Sequence, residues 1–311
     1  VVTTLKKPVV LKIGGRALES EGEAAGAAAV PAPAVAALAA DLAAIGVPVV
    51  IVHGGGAEVT AWCERMAIAP RFIDGLRVTD APTLEVAAAV LAGLANKRLV
   101  ARLRAAGLDA VGLSALDGGT VEAVPHPLAA GLGAVGAVRA VYPALLESLL
   151  GQGRIPVIAS ICDFDGALLN LNADDLAAAL AGALHARALV LLSDAPGLVI
   201  EGTIVSRLDT LSLAGALDHP DVQGGMRPKL NAARAALDAG VPRVHIAAWS
   251  GPGTLHALLA GAGGGTTITA EADGPASARA IAAFRTSAAT PAAAGGHATR
   301  TPTPTTGVSH D

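Results

Sequence analysis

Runs of five or six mostly apolar residues, each ended by glycine or a polar turn, recur along the chain. Pro8 to Ile13, Val47 to Val52, Ile155 to Ala159, Ala188 to Leu192 and Arg243 to Ala247 leave little room for a solvent face. Such runs read as buried strands, which in a parallel sheet are covered by helices on both faces. Further strands are predicted at Asp109 to Ser114 and Thr266 to Thr269. Between them lie helical segments: Ala34 to Ile45, a helix from about Ala57, a long one from Pro82 to Ala106, Pro143 to Leu150 and Asn172 to His185. Leu211 to Leu217, a helix ending near Ala239, and Leu255 to Leu259 follow. Pro82 suits the first position of the long helix, with Asp80 or Ala81 near its cap. Strands alternating with helices predict an α/β chain.

The connecting segments are legible in less detail. Asp117-Gly118-Gly119 and Glu201-Gly202 are hairpin signals, Asp163 to Ala167 is a turn, and the stretch up to Val141 reads as short strands and loops. Glu19 to Pro33 carries Ala, Gly, Glu and Pro without a period and is expected to be a mobile insertion. Residues 273–311 are Ala, Thr, Pro, Gly and Ser with no apolar period, an expected disordered tail.

Composition narrows the class. In 311 residues, 52% are hydrophobic, 15% charged and only 2% aromatic, so Val, Leu, Ile and Ala must fill a large core. A formal charge of −4 gives no basic footprint for nucleic acid. No stretch has the make-up of a membrane span or an export signal. Cys63 and Cys162 stand far apart with no metal-binding spacing, so two reduced thiols and a cytoplasmic setting are expected, with no metal held by protein ligands.

Candidate chemistry gathers at the strand ends. His53-Gly54-Gly55-Gly56 joins a buried strand to a helix, which lets backbone N–H groups approach an anion ahead of a helix N-terminus. It is neither a Walker A sequence nor a GxGxxG loop. Lys12 stands at a strand end before Gly14 and Gly15, and Lys229 follows Gly224-Gly225 in a first helical turn, where the dipole opposes it. Arg77 offers a planar fork for a carboxylate, or is a solvated charge. Asn96 and Lys97 could be cap, surface or site. Asn170-Leu171-Asn172-Ala173-Asp174-Asp175 opens an apolar helix; a cap explains part of it, a ligand-facing cluster the rest.

Taken together, Lys12-Ile13-Gly14-Gly15, His53-Gly54-Gly55-Gly56, Gly75-Leu76-Arg77-Val78-Thr79, Asn170-Leu171-Asn172-Ala173-Asp174, Leu192-Ser193-Asp194 and Gly224-Gly225-Met226-Arg227-Pro228-Lys229 resemble the acetylglutamate kinases of arginine biosynthesis, in order and spacing. The resemblance covers about residues 8 to 271. It implies the amino acid kinase (carbamate kinase-like) fold, a three-layer αβα sandwich with a mostly parallel central sheet, as a single domain over residues 1–272. An amino-acid-binding lobe would span about 8–160 and an ATP-binding lobe about 161–271. The implied reaction is ATP-dependent phosphorylation of the side-chain carboxylate of N-acetyl-L-glutamate.

The resemblance also implies roles. Lys12 and Lys229 would stabilise the transferred phosphoryl group and Asp174 would organise both, leaving Asp175 to the helix dipole. Gly14, Gly15, Gly54 and Gly55 would give it backbone N–H contacts. Gly55, Gly56, Arg77, Asn170 and Asn172 would hold N-acetylglutamate, with Arg77 on the α-carboxylate. Asp194, Ala195, Pro196, Gly197, Leu198 and Val199, then Asp221, Val222, Gln223, Gly225 and Met226, match nucleotide-binding segments. Mg²⁺ is expected through the ATP oxygens. Two departures stand out. His245-Ile246-Ala247-Ala248-Trp249-Ser250 replaces the Asp-Gly-Arg segment of many relatives, and about seven residues precede the first strand. The second departure leads to an expected homodimer insensitive to arginine. The alternatives are a kinase for an acylated or carrier-bound 2-aminoadipate, and a non-catalytic nucleotide or amino-acid sensor on the same fold.

Overall fold

The computed structural model describes residues 6–14, 32–73 and 75–270. The predicted insertion falls mostly, and the predicted tail wholly, outside these residues. The apolar runs form one eight-stranded sheet. Its order is Arg207–Asp209, Thr266–Thr269, Arg243–Ala248, Ala188–Ser193, Val9–Ile13, Val49–His53, Ile155–Ala159 and Ala110–Ser114. Every neighbouring pair is parallel except Arg243–Ala248 with Thr266–Thr269.

The pleat divides each run between two cores. Val10, Val50, Val52, Ile158, Leu189 and Leu191 face one helical layer, while Val9, Leu11, Val49, Ile51, Val157 and Val190 face the other. The first layer includes Ala173–Ala183 and Met226–Asp238; the second includes Ala32–Ala44, Asn96–Ala105 and Thr254–Leu259. Burying one Val, Leu or Ile side chain contributes about 1.5–3 kcal/mol, so the continuous runs drive assembly of both layers at once. Asp41, 5% exposed, ties two helices of the second layer together by accepting from the Gly253 and Leu255 N–H groups.

Several connections differ from their sequence reading. The long helix is continuous from Ala81 to Ala105, but its middle, Ala89–Ala95, is π-helical. Asp80 is its N-cap, accepting from Thr83 N–H at 3.1 Å, and this moves Pro82 to the second helical position. Asp117–Gly119 is a 3-10 turn, not a hairpin: it passes the chain from the large sheet to a second one, ordered Val121–Pro125, Val135–Val141, Ala167–Leu171, Ile161–Phe164. The Asp163 to Ala167 turn is the tip of an antiparallel hairpin in that sheet, with Asp165 and Gly166 at positive φ. The polar loop near Arg77 is a hairpin of Phe72–Ile73 and Leu76–Arg77.

Candidate active site

Adjacent parallel strands end at one edge of the sheet, and the chain delivers its polar residues there. Ile13 and His53 are in register, so the Lys12 side chain and the glycine loop after His53 lie side by side. Gly54 N–H donates to Ile13 O at 3.0 Å and Gly14 N–H to Leu192 O at 2.9 Å. The sheet ladder thus extends one residue beyond each strand and occupies both N–H groups. This corrects the role expected of Gly14 and Gly54, whose N–H groups are taken up by the sheet and are not free for a ligand. Gly55 and Gly56 N–H have no protein acceptor among the described residues. Gly15 lies outside those residues.

Asp174 carries both lysines. Its Oδ1 lies 2.7 Å from Lys12 Nζ and its Oδ2 3.3 Å from Lys229 Nζ, which also reaches Gly225 O at 3.4 Å. Asp174 is buried because it sits in the first turn of Ala173–Ala183, whose cap is Asn172: the Asn172 Oδ1 accepts from the Asp174 and Asp175 N–H groups at 2.8 and 3.2 Å. The cap and the site are therefore one device. Asp175, one residue on, is exposed. The opposing dipole at Lys229 is offset by this ion pair.

Burial, reinforced by repulsion from Lys229, lowers the pKa of Lys12 even though Asp174 pulls the other way. For Asp174 burial would raise the carboxyl, but attraction to Lys12 and Lys229 prevails and holds it below the usual carboxylate range. The trio carries a net single positive charge at neutral pH, out of water, where its field on a neighbouring anion is strongest.

Beside it opens a cavity of about 210 Å³ whose walls include Lys12, Gly54, Gly55, Gly56, Arg77, Asn170, Asn172 and Asp174. The sequence-predicted substrate residues thus converge. Arg77 is half-buried. Its Nη2 donates to Gly56 O and Thr60 Oγ1, each at 2.7 Å, and Phe72 stacks 4.7 Å from its guanidinium carbon. Its Nη1 is buried with no protein partner among the described residues. A fixed guanidinium with one orphaned donor at a cavity wall can take an anionic oxygen. Asn170 donates to Thr79 Oγ1 at 3.2 Å, which leaves its carbonyl oxygen for a ligand N–H. Val59, Leu91 and Val135 also line the cavity and were not singled out from sequence. A hydrophobic residue on a strand or helix gives no signal that it faces a cavity rather than a core.

Of the expected nucleotide segments, Asp194 to Val199 follows the strand Ala188–Ser193, and Asp221 to Met226 joins the helices Thr210–Leu217 and Met226–Asp238. Asp194, Pro196, Asp221, Gln223 and Gly225 are exposed, and Ala195, Val199 and Met226 half-buried. Leu198 and Val222, each 1% exposed, are core residues, so only their backbone faces outward. Glu201 N–H donates to Asp221 Oδ2 at 2.8 Å, tying the two segments. Gly197, at φ +149°, packs so closely on Gly265 and Thr266 that a Cβ would come within 2.9 Å. The hairpin tip at Gly75 reaches this side too, with Gly224 O 3.7 Å from where a Cβ on Gly75 would lie.

The chain is similar to known proteins. The model of the Amino acid kinase family matches residues 7–248. An acetylglutamate kinase from Methanopyrus kandleri is 45% identical over 224 residues, covering 69% of this chain and 89% of its own length. One from Gloeobacter violaceus is 42% identical over 226 residues, covering 70% and 74%. Among solved structures, carbamate kinase from Giardia lamblia bound to AMP-PNP superposes with a TM-score of 0.61 at 15% identity, over 85% of this chain and 99% of that one. That likeness bears out the expected fold.

Proposed function

The chain belongs to the amino acid kinase family and, within it, to the acetylglutamate kinases, and from this premise we infer how its site divides the work. The reaction is ATP-dependent phosphorylation of the side-chain carboxylate of N-acetyl-L-glutamate to the acyl phosphate, in arginine biosynthesis. A carboxylate oxygen forms a bond to the γ-phosphorus while the bond from phosphorus to the β,γ-bridging oxygen breaks, and ADP leaves with that electron pair. The acceptor is already ionised at neutral pH, so no general base is needed. The barrier is repulsion between two anions and charge on the phosphoryl oxygens, and fixed cations and dipoles lower it.

Lys12 and Lys229 supply the cations, one from each half of the chain, and Asp174 sets their separation. The observation that carries this reading is that one buried carboxylate holds both ammonium groups at the wall of a cavity that also contains the orphaned Arg77 Nη1. Arg77 takes the α-carboxylate, Asn170 the acetamido N–H, and the Gly55 and Gly56 N–H groups, at a helix N-terminus, the anion between. Asn172 contributes chiefly as the cap of the Asp174 helix. The segments Asp194 to Val199 and Asp221 to Met226 hold the nucleotide, so the donor half lies within about residues 161–271, from which Asn170 and Asp174 reach the acceptor cavity.

Mg²⁺ fits this site only through the nucleotide. No cluster of three or more His, Cys, Asp or Glu is present among the described residues, and Asp174 is occupied by two lysines. When bound, the ion offsets charge on the phosphates. The buried free thiols of Cys63 and Cys162 support a reducing, cytoplasmic setting. A homodimer is the proposed assembly, checked by sedimentation.

The test is ADP release coupled to hydroxamate trapping of the acyl phosphate, with N-acetyl-L-glutamate and its one-carbon-longer 2-aminoadipate counterpart compared. Hydroxamate from the former is expected. Turnover of the longer acid alone, or uncleaved ATP with both, would overturn the assignment.

A further inference from the structure

Asn96 is 0% exposed and His53 4%, yet neither touches the cavity, and the reaction as described uses neither. Both are joined to the glycine loop. Asn96 Nδ2 lies 2.9 Å from Val157 O, 3.1 Å from His53 Nε2 and 3.3 Å from Leu113 O, while its Oδ1 accepts from Lys97 Nζ at 3.0 Å. Two carbonyls on one side and an ammonium on the other fix which way the amide faces. Its NH₂ can only donate, so His53 Nε2, which faces it at 3.1 Å, must be unprotonated. The proton sits on Nδ1, and Nδ1–H donates to Gly54 O at 3.0 Å. Burial, with Lys97 nearby, keeps the imidazole neutral, although the Gly54 carbonyl favours the charged form.

Gly54 C=O and Gly55 N–H belong to one trans peptide unit and point in opposite directions. Whatever fixes the carbonyl fixes the N–H. Since Gly54 N–H is occupied by Ile13 O, Gly55 N–H is the first donor the loop leaves for a ligand. The π-helical segment Ala89–Ala95 reaches this peptide directly through Leu91 and, through the residue that follows it, by way of His53. Leu91 packs so close to Gly55 that a Cβ there would lie 2.6 Å from Leu91 Cδ2, and Asn96 follows the last π residue, turned into the core. A wider π turn shifts the register of everything after it, and such segments concentrate at functional sites.

We propose that His53, held as its Nδ1–H tautomer by Asn96, is a positioning residue that aims the Gly55 N–H into the reaction cavity, and that the π-helical segment delivers Asn96 and Leu91 for this purpose. This deepens the kinase reading and rests on it. The imidazole touches no substrate and transfers no proton. It acts through the peptide plane, so what it requires is a donor at Nδ1 rather than a charge.

The test has two parts. In the wild-type protein, long-range ¹H–¹⁵N correlation spectra are expected to show His53 with Nδ1 protonated and Nε2 bare, unchanged from pH 6 to pH 8. A His53 that carries its proton on Nε2, or titrates across that range, overturns the proposal without any assay of turnover. In the variants, His53→Leu removes the donor and keeps bulk, whereas His53→Asn places an N–H₂ near the Nδ1 position. His53→Leu is expected to lower kcat by roughly thirtyfold or more at little changed KM for ATP, on the scale of losing one aimed backbone donor. His53→Asn is expected to recover most of it. Equal kcat for the two variants overturns the proposal. If His53→Leu does not fold, Asn96→Asp serves instead: its carboxylate draws the proton to Nε2, and the spectrum and kcat must change together. Wild-type turnover of N-acetyl-L-glutamate is measured first. Its absence with the expected tautomer present is a failure of the kinase reading, not of the peptide-positioning role.

Discussion

Lys12 and Lys229 meet at one carboxylate but come from unlike places. Lys12 ends a strand that is hydrogen-bonded to neighbours on both sides, is 7% exposed, and lies 2.7 Å from Asp174. Lys229 stands in the first turn of Met226–Asp238, after an exposed Gly224-Gly225 turn, 3.3 Å from the same residue. The sheet presets one cation. The other is carried by a helix start that follows an exposed turn rather than by a sheet. A site that must admit and release a nucleotide on one side only needs rigidity on the other.

The largest expected effect removes what the two lysines have in common. Asp174→Asn should lower kcat by roughly a thousandfold or more in steady-state assays. It should also cost about 3 kcal/mol or more in urea unfolding, because Lys12 is left buried without its counter-charge. A variant with wild-type stability would show that the pair is not buried in solution. Next come the arginine swaps. Lys12→Arg forces a planar fork into a closed strand end and should lose about a hundredfold or more in kcat, while Lys229→Arg, at the looser end, should lose about tenfold. Equal losses would erase the distinction between preset and adjustable cation.

Acidity sharpens the comparison further. Burial lowers the Lys12 pKa below 10.5, so kcat should fall as pH rises through that lowered value, earlier than for an ordinary lysine. In the window between the folded value and 10.5 the unfolded chain binds more protons, so Lys12's own contribution to stability rises while activity falls. Asp174 has a linkage of the same sign at the acid end. Its carboxyl is held below 3.8 when folded, so its stabilisation is complete above 3.8 and is lost as pH falls through the lower folded value. An alkaline limb at or above 10.5 would place the essential ammonium in water. The smallest effect belongs to Asp175→Asn, a change on the exposed side of the capped helix, with kcat expected within a few-fold of wild type.

The sequence was most informative where one residue must do one thing. Buried runs gave the sheet because a strand covered on both faces has no alternative use for six apolar residues. Lys229 stood out because a cation in a first helical turn opposes the dipole. Lys12, Asp174 and Arg77 were singled out by the motifs they share with the resembled family, and the structure brings all four to one cavity or ion pair. The π-helical segment was not legible: Ala89 to Ala95 reads Ala-Val-Leu-Ala-Gly-Leu-Ala, which suits an α-helix equally well. Nor was the loss of the Gly14 and Gly54 donors, which follows from how far the ladder extends and not from glycine itself. Asn96 was ambiguous for a related reason. A buried polar residue is defined by its partners, and those partners lie 43 and 61 residues away along the chain.

The strand that carries Lys12 is made first and finished late. Val9–Ile13 sits between Val49–His53 and Ala188–Ser193, so one of its edges waits for a partner about 180 residues downstream. On a ribosome adding roughly ten residues each second, that edge stays open for many seconds. An unpaired apolar edge is a template for the wrong strand. Synthesis of this chain therefore carries an interval of aggregation risk set by topology alone. A gene cut between the two halves would make that interval permanent for the first fragment.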